Sequence, residues 1–242
     1  MKSRPKTTSP DVSVKGGVMK RHLERELDRL RKKILALGAI VEGSIEKAVL
    51  SLMRQDLKLA NKVIESDQEI DHLEVEIEEE CLKILALYQP AAIDLRYVVG
   101  ILKMNNDLER MGDLAVNIAE RACYVANKKG TKFSVDFTPM WEKTIAMVKG
   151  ALDALIKMDA QNARGVCASD DEVDAINREM LDVIQDHMEK NPQDIRLSTH
   201  LFLASRHLER IADLATNIAE DVIYMTEGTI IRHRAEDYTR HD

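Results

Sequence analysis

Residues 108–120 read LERMGDLAVNIAE, and residues 208–220 read LERIADLATNIAE. Ten of the 13 positions are identical at an offset of 100. Around both phrases, apolar residues recur at alternating spacings of three and four, which is the seam of a helix packed in a bundle. The seam positions are Ile101, Met104, Leu108, Met111, Ala115, Ile118, Ala122 and Val125, and Leu201, Ala204, Leu208, Ile211, Ala215, Ile218, Val222 and Met225. The repeat therefore predicts one kind of long packed helix, used twice.

The repeat extends beyond this phrase. The segment SDQEID at 66–71 is matched by SDDEVD at 169–174, and after Pro90 and Pro192 the segment AIDLR is matched by QDIR. A proline inside a helical pattern ends the helix, so each unit contains separate helices. The chain is predicted to be all-α, with six long helices in two tandem antiparallel three-helix bundles. The six helices are predicted at about 19–55, 57–88, 95–127, 138–158, 160–190 and 195–226.

Composition places the boundaries of the two bundles. The N-terminal residues are rich in Ser, Thr, Pro, Lys and Gly, which is typical of a disordered tail. The segment KKGTKFSVDF at 128–137 is the best candidate for an interdomain linker. The predicted organisation is a disordered tail at 1–18, a first bundle at 19–128, a linker at 129–137, a second bundle at 138–228 and a C-terminal tail at 229–242.

Short polar side chains mark the expected helix starts. Asp56 and Asp159 occupy equivalent positions between the first and second helices of each unit and are predicted N-caps. Thr138 precedes a proline and is the expected N-cap of the fourth helix. Asp94 and Asp194 open the third and sixth helices, where an N-cap explains them without catalysis.

The overall composition restricts the class of protein. Aromatic residues make up 4% of the chain, and Lys and Arg number 35 against 42 Asp and Glu, for a net charge of −7. Without a long basic run, a nucleic-acid partner is not expected. The three cysteines lie far apart, which gives neither a disulfide framework nor a thiolate zinc site and fits a reducing cytoplasm. No apolar run reaches the ~20 residues that a bilayer requires, so the protein is expected to be soluble and at most peripheral to a membrane complex.

Each repeated phrase also carries two carboxylates that lie off the apolar seam. The two acids are four residues apart, so they stand one turn apart on the same helix face. The matched segments of the second and fifth helices carry a second pair at the same spacing. Packed side by side, two helices of a unit would present four carboxylates to one patch. These residues are Asp67, Asp71, Glu109 and Asp113 in the first unit, and Asp170, Asp174, Glu209 and Asp213 in the second.

Two explanations of the acid pairs remain open. Like charges four residues apart lower the stability of a helix by a few tenths of a kcal/mol. A bound cation makes the same pair of acids stabilising. Carboxylate oxygens suit hard cations such as Mg²⁺, Mn²⁺ or Ca²⁺, and clustered carboxylates also bridge iron. The alternative is a solvated acidic face, paired locally with neighbours such as Arg110 or Arg210.

The sequence offers no catalytic arrangement. There is no glycine-rich phosphate loop, no G-x-S-x-G elbow and no Cys/His pair at a spacing typical of a catalytic site. Glu69 and His72 have the Glu-x-x-His spacing of di-iron bundles, but the second unit has Ala175 in place of the histidine. The protein is therefore not expected to be an enzyme.

The repeated motifs resemble those of the PhoU family of phosphate-uptake regulators. They are SDQEIDHLE, QPAAIDLRYV and NDLERMGDLAVNIAE in the first unit, SDDEVD, NPQDIR and HLERIADLATNIAE in the second, and the closing EGTIIRH. The likeness runs from about Met19 to His233. It implies a cytoplasmic pair of three-helix bundles that acts as a negative regulator of phosphate uptake and of the phosphate-starvation response. Such a protein would signal between the ATPase subunit of a phosphate ABC transporter and a sensor histidine kinase, and it is expected to be a homodimer.

The resemblance also implies metal sites. E(D)xxxD motifs of this family hold multinuclear clusters of iron, zinc, magnesium or manganese-type ions. Carried across by motif, the metal ligands would be the eight carboxylates named above, and all eight positions keep an acid. Asn177 stands where the first unit has Glu74, which lowers the charge of the second site.

Two other hypotheses accompany this one. The first is a carboxylate-bridged metal-binding helical bundle with an oxidase or metal-storage role. The second is an interaction scaffold that dimerises through its helices without metal.

Overall fold

The computed structural model describes residues 12–128 and 133–229. The elements are the helices α1 (Val12–Arg54), α2 (Leu57–Tyr88), α3 (Ala92–Asn127), α4 (Thr138–Lys157), α5 (Ala160–Ala168), α6 (Asp170–Lys190) and α7 (Ile195–Glu227), with a 3₁₀ turn at Pro192–Asp194. Helices α1 to α3 pack together as the first bundle, and α4 to α7 pack together as the second. The described part of the chain contains no strand. The all-α prediction of two tandem three-helix bundles is confirmed.

The two bundles meet along α3 and α7, which have an extensive shared interface, and α1 also contacts α4. All 16 seam positions of the repeated helices are buried, with at most 5% of any residue exposed. At Gly100 of α3, an added Cβ would clash with the Met225 Sδ of α7. The glycine therefore makes room for a side chain of the other bundle, so the repeated helices pack against each other as well as within their own bundles.

The fifth predicted helix is divided in the structure at Ser169, between α5 and α6. The Ser169 hydroxyl donates to the carbonyl of Gly165 at 3.0 Å, and its N–H donates to Val166 three residues back. Such local bonds compete with the regular helical ladder. In the first bundle, the equivalent Ser66 donates to Val63, and α2 stays continuous.

Helix α1 begins at Val12, inside the segment 1–18 that the sequence predicts to be disordered. Once a helix is nucleated, extending it adds one hydrogen bond for each residue fixed, so a weak helical segment can join a stable one. Residues 1–11, most of the predicted linker (129–132) and residues 230–242 of the predicted C-terminal tail lie outside the described residues.

The capping predictions have mixed outcomes. Asp56 and Asp159 are N-caps, and each accepts hydrogen bonds from two backbone N–H groups at 3.0 Å. Thr138 is the first residue of α4 rather than its cap, and its N–H is bound by the carboxylate of Asp136 instead.

The prediction that Asp94 caps α3 is wrong, because the helix begins earlier, at Ala92, and Asp94 lies within its first turn. Asp194 does occupy the cap position of α7, but its side chain makes no capping bond. Its carboxylate instead lies 3.6 Å from the Lys128 Nζ and 3.4 Å from the His187 Nε2. These longer-range partners were not visible in the local sequence pattern.

Candidate functional site

The first carboxylate cluster lies where α2 packs against α3. Burial raises the pKa of Glu109, and the charges of Asp113, Asp71 and Asp67 raise it further. Burial also raises the pKa of Asp67, with contributions from Asp71 and Asp113. The four carboxylates predicted for the first unit therefore lie near enough to influence one another's ionisation.

A glycine allows the two helices to approach at this point. An ideal Cβ on Gly112 of α3 would lie 2.9 Å from the Ile70 Cδ1 of α2 and 3.6 Å from an Asp67 carboxylate oxygen. Gly112 immediately precedes Asp113, and the second unit has Ala212 at this position. The glycine was not singled out in the sequence, where the only signal is this difference between the two copies.

Glu74 is a fifth carboxylate of the first cluster. Its charge contributes to the raised pKa of Glu109, and its own pKa is raised by burial and by Glu78 and Asp71. The buried Asn105 amide of α3 donates to both the Glu74 carbonyl at 2.8 Å and the Glu74 carboxylate at 3.1 Å. Asn105 therefore holds Glu74 in position at the first cluster.

The second cluster lies where α6 packs against α7. Burial raises the pKa of Asp170 to about 6, and Asp213, Asp174 and Asp171 contribute. Burial also raises the pKa of Glu209; Arg206 opposes this effect, while Asp213 and Asp174 add to it. The four carboxylates predicted for the second unit thus also come together.

The two clusters differ in charge. Asn177, which replaces Glu74, is buried, and its carbonyl oxygen has no hydrogen-bond partner in the part of the chain that the structure describes. Arg206 donates a hydrogen bond to the Glu209 carboxylate, whereas the first unit has Asn106 at the matching position. Neither difference changes the apolar seam, and both make the second cluster less negative.

The donor atoms of both clusters suit a hard cation. They are carboxylate oxygens, and a bound cation would relieve the mutual repulsion that helps to raise the pKa of Asp67 and Asp170. In the second cluster, Glu209 Oε2 is buried and has no partner among the described residues. The described side chains do not gather three Asp, Glu, His or Cys ligands around a single ion position. The residue types therefore fit a cation, although the acids do not converge on one ion position in the described residues.

A groove of about 560 Å³ opens between the two bundles, along the line where α3 meets α7. The lining residues form four pairs related by the internal repeat, and they include one aspartate from each cluster. They are Arg110, Asp113, Leu114 and Asn117 from α3, and Arg210, Asp213, Leu214 and Asn217 from α7. The repeated motifs assign Asp113 and Asp213 to separate sites, and the structure adds that the two aspartates border one groove.

No helix in the described ranges is long and apolar enough to cross a bilayer.

Comparison with known proteins gives a consistent picture. A family model described as "PhoU domain" matches residues 34–122 and again residues 137–222, in agreement with the two bundles. The phosphate-specific transport system accessory protein PhoU homolog of Aquifex aeolicus is 40% identical over 212 residues, which are 88% of this chain and 96% of that protein. The homolog of Pseudomonas aeruginosa is 39% identical over 209 residues, which are 86% of each chain.

Solved structures show the same architecture. The crystal structure of PhoU from Pseudomonas aeruginosa superposes with a TM-score of 0.82 and covers 85% of this chain and 99% of that one, at 39% identity. The phosphate transport system regulatory protein PhoU from Streptococcus pneumoniae superposes with a TM-score of 0.80, at 30% identity, and covers 86% of this chain and 98% of that one.

Proposed function

The chain belongs to the PhoU family, and we propose that it is an accessory protein of phosphate transport that restrains phosphate uptake and the phosphate-starvation response. The relatives' names, accessory and regulatory protein of a phosphate transport system, support the transport association. In this role the protein is cytoplasmic. It binds the ATPase subunit of a phosphate ABC transporter and a sensor histidine kinase, and it couples the state of the one to the output of the other.

One observation carries the mechanism: in each bundle, four acids from two packed helices lie near enough to influence one another's ionisation, at equivalent positions of the repeat. Such clustering lowers stability unless a cation or a basic partner compensates the charge. The two clusters hold divalent or trivalent metal ions, such as iron, zinc, magnesium or manganese, through the eight predicted carboxylates. Bound metal would supply positive charge and fix the acid side chains, which would present an ordered surface to a partner.

The proposed role is one of binding rather than turnover. A rigid helical body can contact two partners at once or in alternation, and a homodimer would present each contact surface twice. Phosphate limitation would then alter the coupling between transporter and kinase without any reaction catalysed by this chain.

Deleting the gene and following a phosphate-starvation promoter in phosphate-rich medium tests the regulatory role. We expect the promoter to become active and to be silenced again by the wild-type gene. A complementing variant that carries Asp67→Asn, Glu109→Gln, Asp170→Asn and Glu209→Gln should fail to silence it. A matched variant with two exposed acids of α6 replaced, Glu179→Gln and Asp182→Asn, should complement fully. A promoter that stays silent in the deletion strain would contradict the proposal.

Elemental analysis tests the metal sites directly. Protein purified without a metal-affinity step should contain bound metal, and the four-carboxylate variant should contain much less. A pull-down with the same two variants then measures how much transporter ATPase subunit and kinase each one binds. This shows whether the clusters act in docking.

A further inference from the structure

The groove between α3 and α7 contains unused hydrogen-bond donors on both walls. In the described part of the chain, the guanidinium groups of Arg110 and Arg210 form no ion pair, and the side-chain amides of Asn117 and Asn217 form no hydrogen bond. All four side chains nevertheless line one groove. Two guanidinium groups and two amides that converge from opposite walls are a set of donors for an anion with several oxygens.

The geometry of the donors favours a phosphoryl group over a carboxylate. A planar carboxylate has two acceptor oxygens in one plane, whereas a tetrahedral phosphoryl group offers three or more oxygens that can face guanidinium groups on opposite sides. The walls are related by the internal repeat, so equivalent donors approach from both sides. A volume of about 560 Å³ admits orthophosphate and also the larger pyrophosphate, whose two ends are equivalent.

The charge of the groove opposes simple anion binding. Asp113 and Asp213 line it beside the two arginines, so the charged side chains of the lining sum to zero. Both aspartates belong to the carboxylate clusters, which add further negative charge near the groove. The carboxylates of the clusters therefore repel an anion unless bound cations neutralise them. Once the clusters are neutralised, the positive charges of the two arginines are uncompensated and attract an anion.

We propose that the groove binds a phosphoryl oxyanion, orthophosphate or pyrophosphate, and that this binding is coupled to divalent-cation loading of the two clusters. Arg110 and Arg210 hold the oxyanion from opposite walls, and Asn117 and Asn217 complete its hydrogen bonds. The inference rests on the cation sites of the proposed function and deepens that function, because it makes the two clusters parts of one ligand-responsive surface.

Equilibrium dialysis of the full chain against ³²P-labelled orthophosphate or pyrophosphate, with and without Mn²⁺, tests the coupling. The protein-free compartment measures any Mn²⁺ complex of the anion in solution, and electron paramagnetic resonance of free Mn²⁺ measures cation binding. We expect Mn²⁺ to raise the affinity for at least one anion by about tenfold or more, and that anion to raise Mn²⁺ affinity by the same factor, because linkage is reciprocal. The anion that binds identifies the ligand.

The double variant Arg110→Gln/Arg210→Gln should lower the anion affinity of the Mn²⁺-loaded protein by at least about tenfold, because charged hydrogen bonds are lost. Its Mn²⁺ affinity without anion should not fall. Both arginines are exposed, so the fold should tolerate the change. The control Lys157→Gln/Lys190→Gln removes the same charge from exposed sites outside the groove and should leave anion affinity unchanged.

The failures are distinguishable. Mn²⁺ binding without binding of either anion at millimolar concentration would overturn the inference and leave the cation sites standing. Absence of Mn²⁺ binding would refute the cation sites and the coupling together. Anion binding that is equally tight without Mn²⁺, or that survives the double arginine variant, would also overturn the proposal.

Discussion

Arg206 donates a hydrogen bond to the carboxylate of Glu209, three residues later on α7, at the edge of the second carboxylate cluster. The first bundle has Asn106 at the position that matches Arg206, so Glu109 has no equivalent partner. The two copies of the repeat thus share the acids of the clusters but differ in the basic side chain that neutralises one of them. Cation affinity should differ between the clusters as a result.

The first prediction concerns this difference. Arg206→Gln should raise the Mn²⁺ affinity of the second cluster about threefold or more, because a competing positive charge is removed from one ligand. The matched change Asn106→Arg should lower the affinity of the first cluster. Each is measured by Mn²⁺ titration in a background where the other cluster is disabled by two Asp→Asn substitutions. Equal affinities before and after both changes would show that the ion pair does not compete with the cation.

The second prediction uses the pKa of Asp170, which burial and neighbouring acids raise to about 6 from an ordinary value of 3.8. The folded state holds this proton more tightly than the unfolded state, so ionisation lowers stability above pH 6, and stability is regained as the pH falls towards 4. Asp170→Asn should therefore stabilise the metal-free protein by about 1 kcal/mol at pH 7 to 8, after allowance for solvent screening, and by little near pH 4.

Denaturant unfolding in the presence of a chelator, at several pH values, measures this effect. Asp182→Asn, at an exposed position of the same helix, is the control and should change little at any pH. A stabilisation that persists unchanged at pH 4 would mean that the benefit does not come from the charge of Asp170.

The third prediction concerns His200, whose ring stacks on Tyr124 across the α3–α7 interface, with ring centroids 3.6 Å apart. Burial and the charge of Arg121 lower the pKa of His200 below 6.5, so the folded state favours the neutral ring. Stability from this residue is present above pH 6.5 and is lost as the pH falls through the lowered pKa. His200→Phe keeps an aromatic ring without a titrating group.

Comparing wild type and His200→Phe by denaturant unfolding between pH 5 and 7 isolates this contribution. The variant should lose less stability on acidification, by a few tenths of a kcal/mol, since the residue is partly exposed. His207 also has a lowered pKa and is retained in both proteins, so its contribution cancels from the difference. Parallel pH profiles would contradict the prediction.

The fourth prediction concerns Arg164 and Glu227, which form two hydrogen bonds of 3.0 and 2.9 Å between α5 and the last turn of α7. Arg164 is 8% exposed, so its charge depends on this partner. Glu227→Ala should lower the free energy of unfolding by about 2 kcal/mol because it leaves a buried guanidinium unpaired. Arg164→Met should cost less, since it leaves no buried charge.

A double-mutant cycle with Glu227→Ala and Arg164→Met supplies the control. Once the arginine is absent, Glu227→Ala should have little further effect. Additive losses would show that the two side chains contribute independently.

The fifth prediction tests the close approach at Gly112. Gly112→Ala places a Cβ 2.9 Å from the Ile70 Cδ1, so the Ile70 side chain, or α2 with it, must shift beside the first cluster. We expect weaker Mn²⁺ binding by the first cluster, while stability changes less, because alanine favours the helix by about 1 kcal/mol relative to glycine. Ile70→Val removes the nearest methyl group and should restore part of the affinity. Ala212→Gly, the reciprocal change in the second unit, should not strengthen the first cluster.

Much of the fold could be read from the sequence because it depends on local periodicity. The spacing of three and four fixes which side of each helix is apolar, and every seam position is buried in the structure. Spacing also placed Glu109 and Asp113 on a common face, and the copy in the second unit predicted that two such faces exist. These properties belong to single helices, so neighbouring residues along the chain suffice to define them.

The remaining features depend on contacts between distant segments. The sequence gives no signal that Met225 would pack against Gly100, or that Asp113 and Asp213 would border one groove, because both depend on how the two bundles meet. Asp94 and Asp194 resembled N-caps by their positions in the sequence. Asp94 is not a cap because α3 begins before it, and the Asp194 carboxylate pairs with Lys128 and His187 instead of capping α7. Periodicity and the repeat determined the helices, their apolar faces and their paired acids. The tertiary structure alone decided how the bundles join, since steric fit and charge pairing act between side chains that are far apart in the chain.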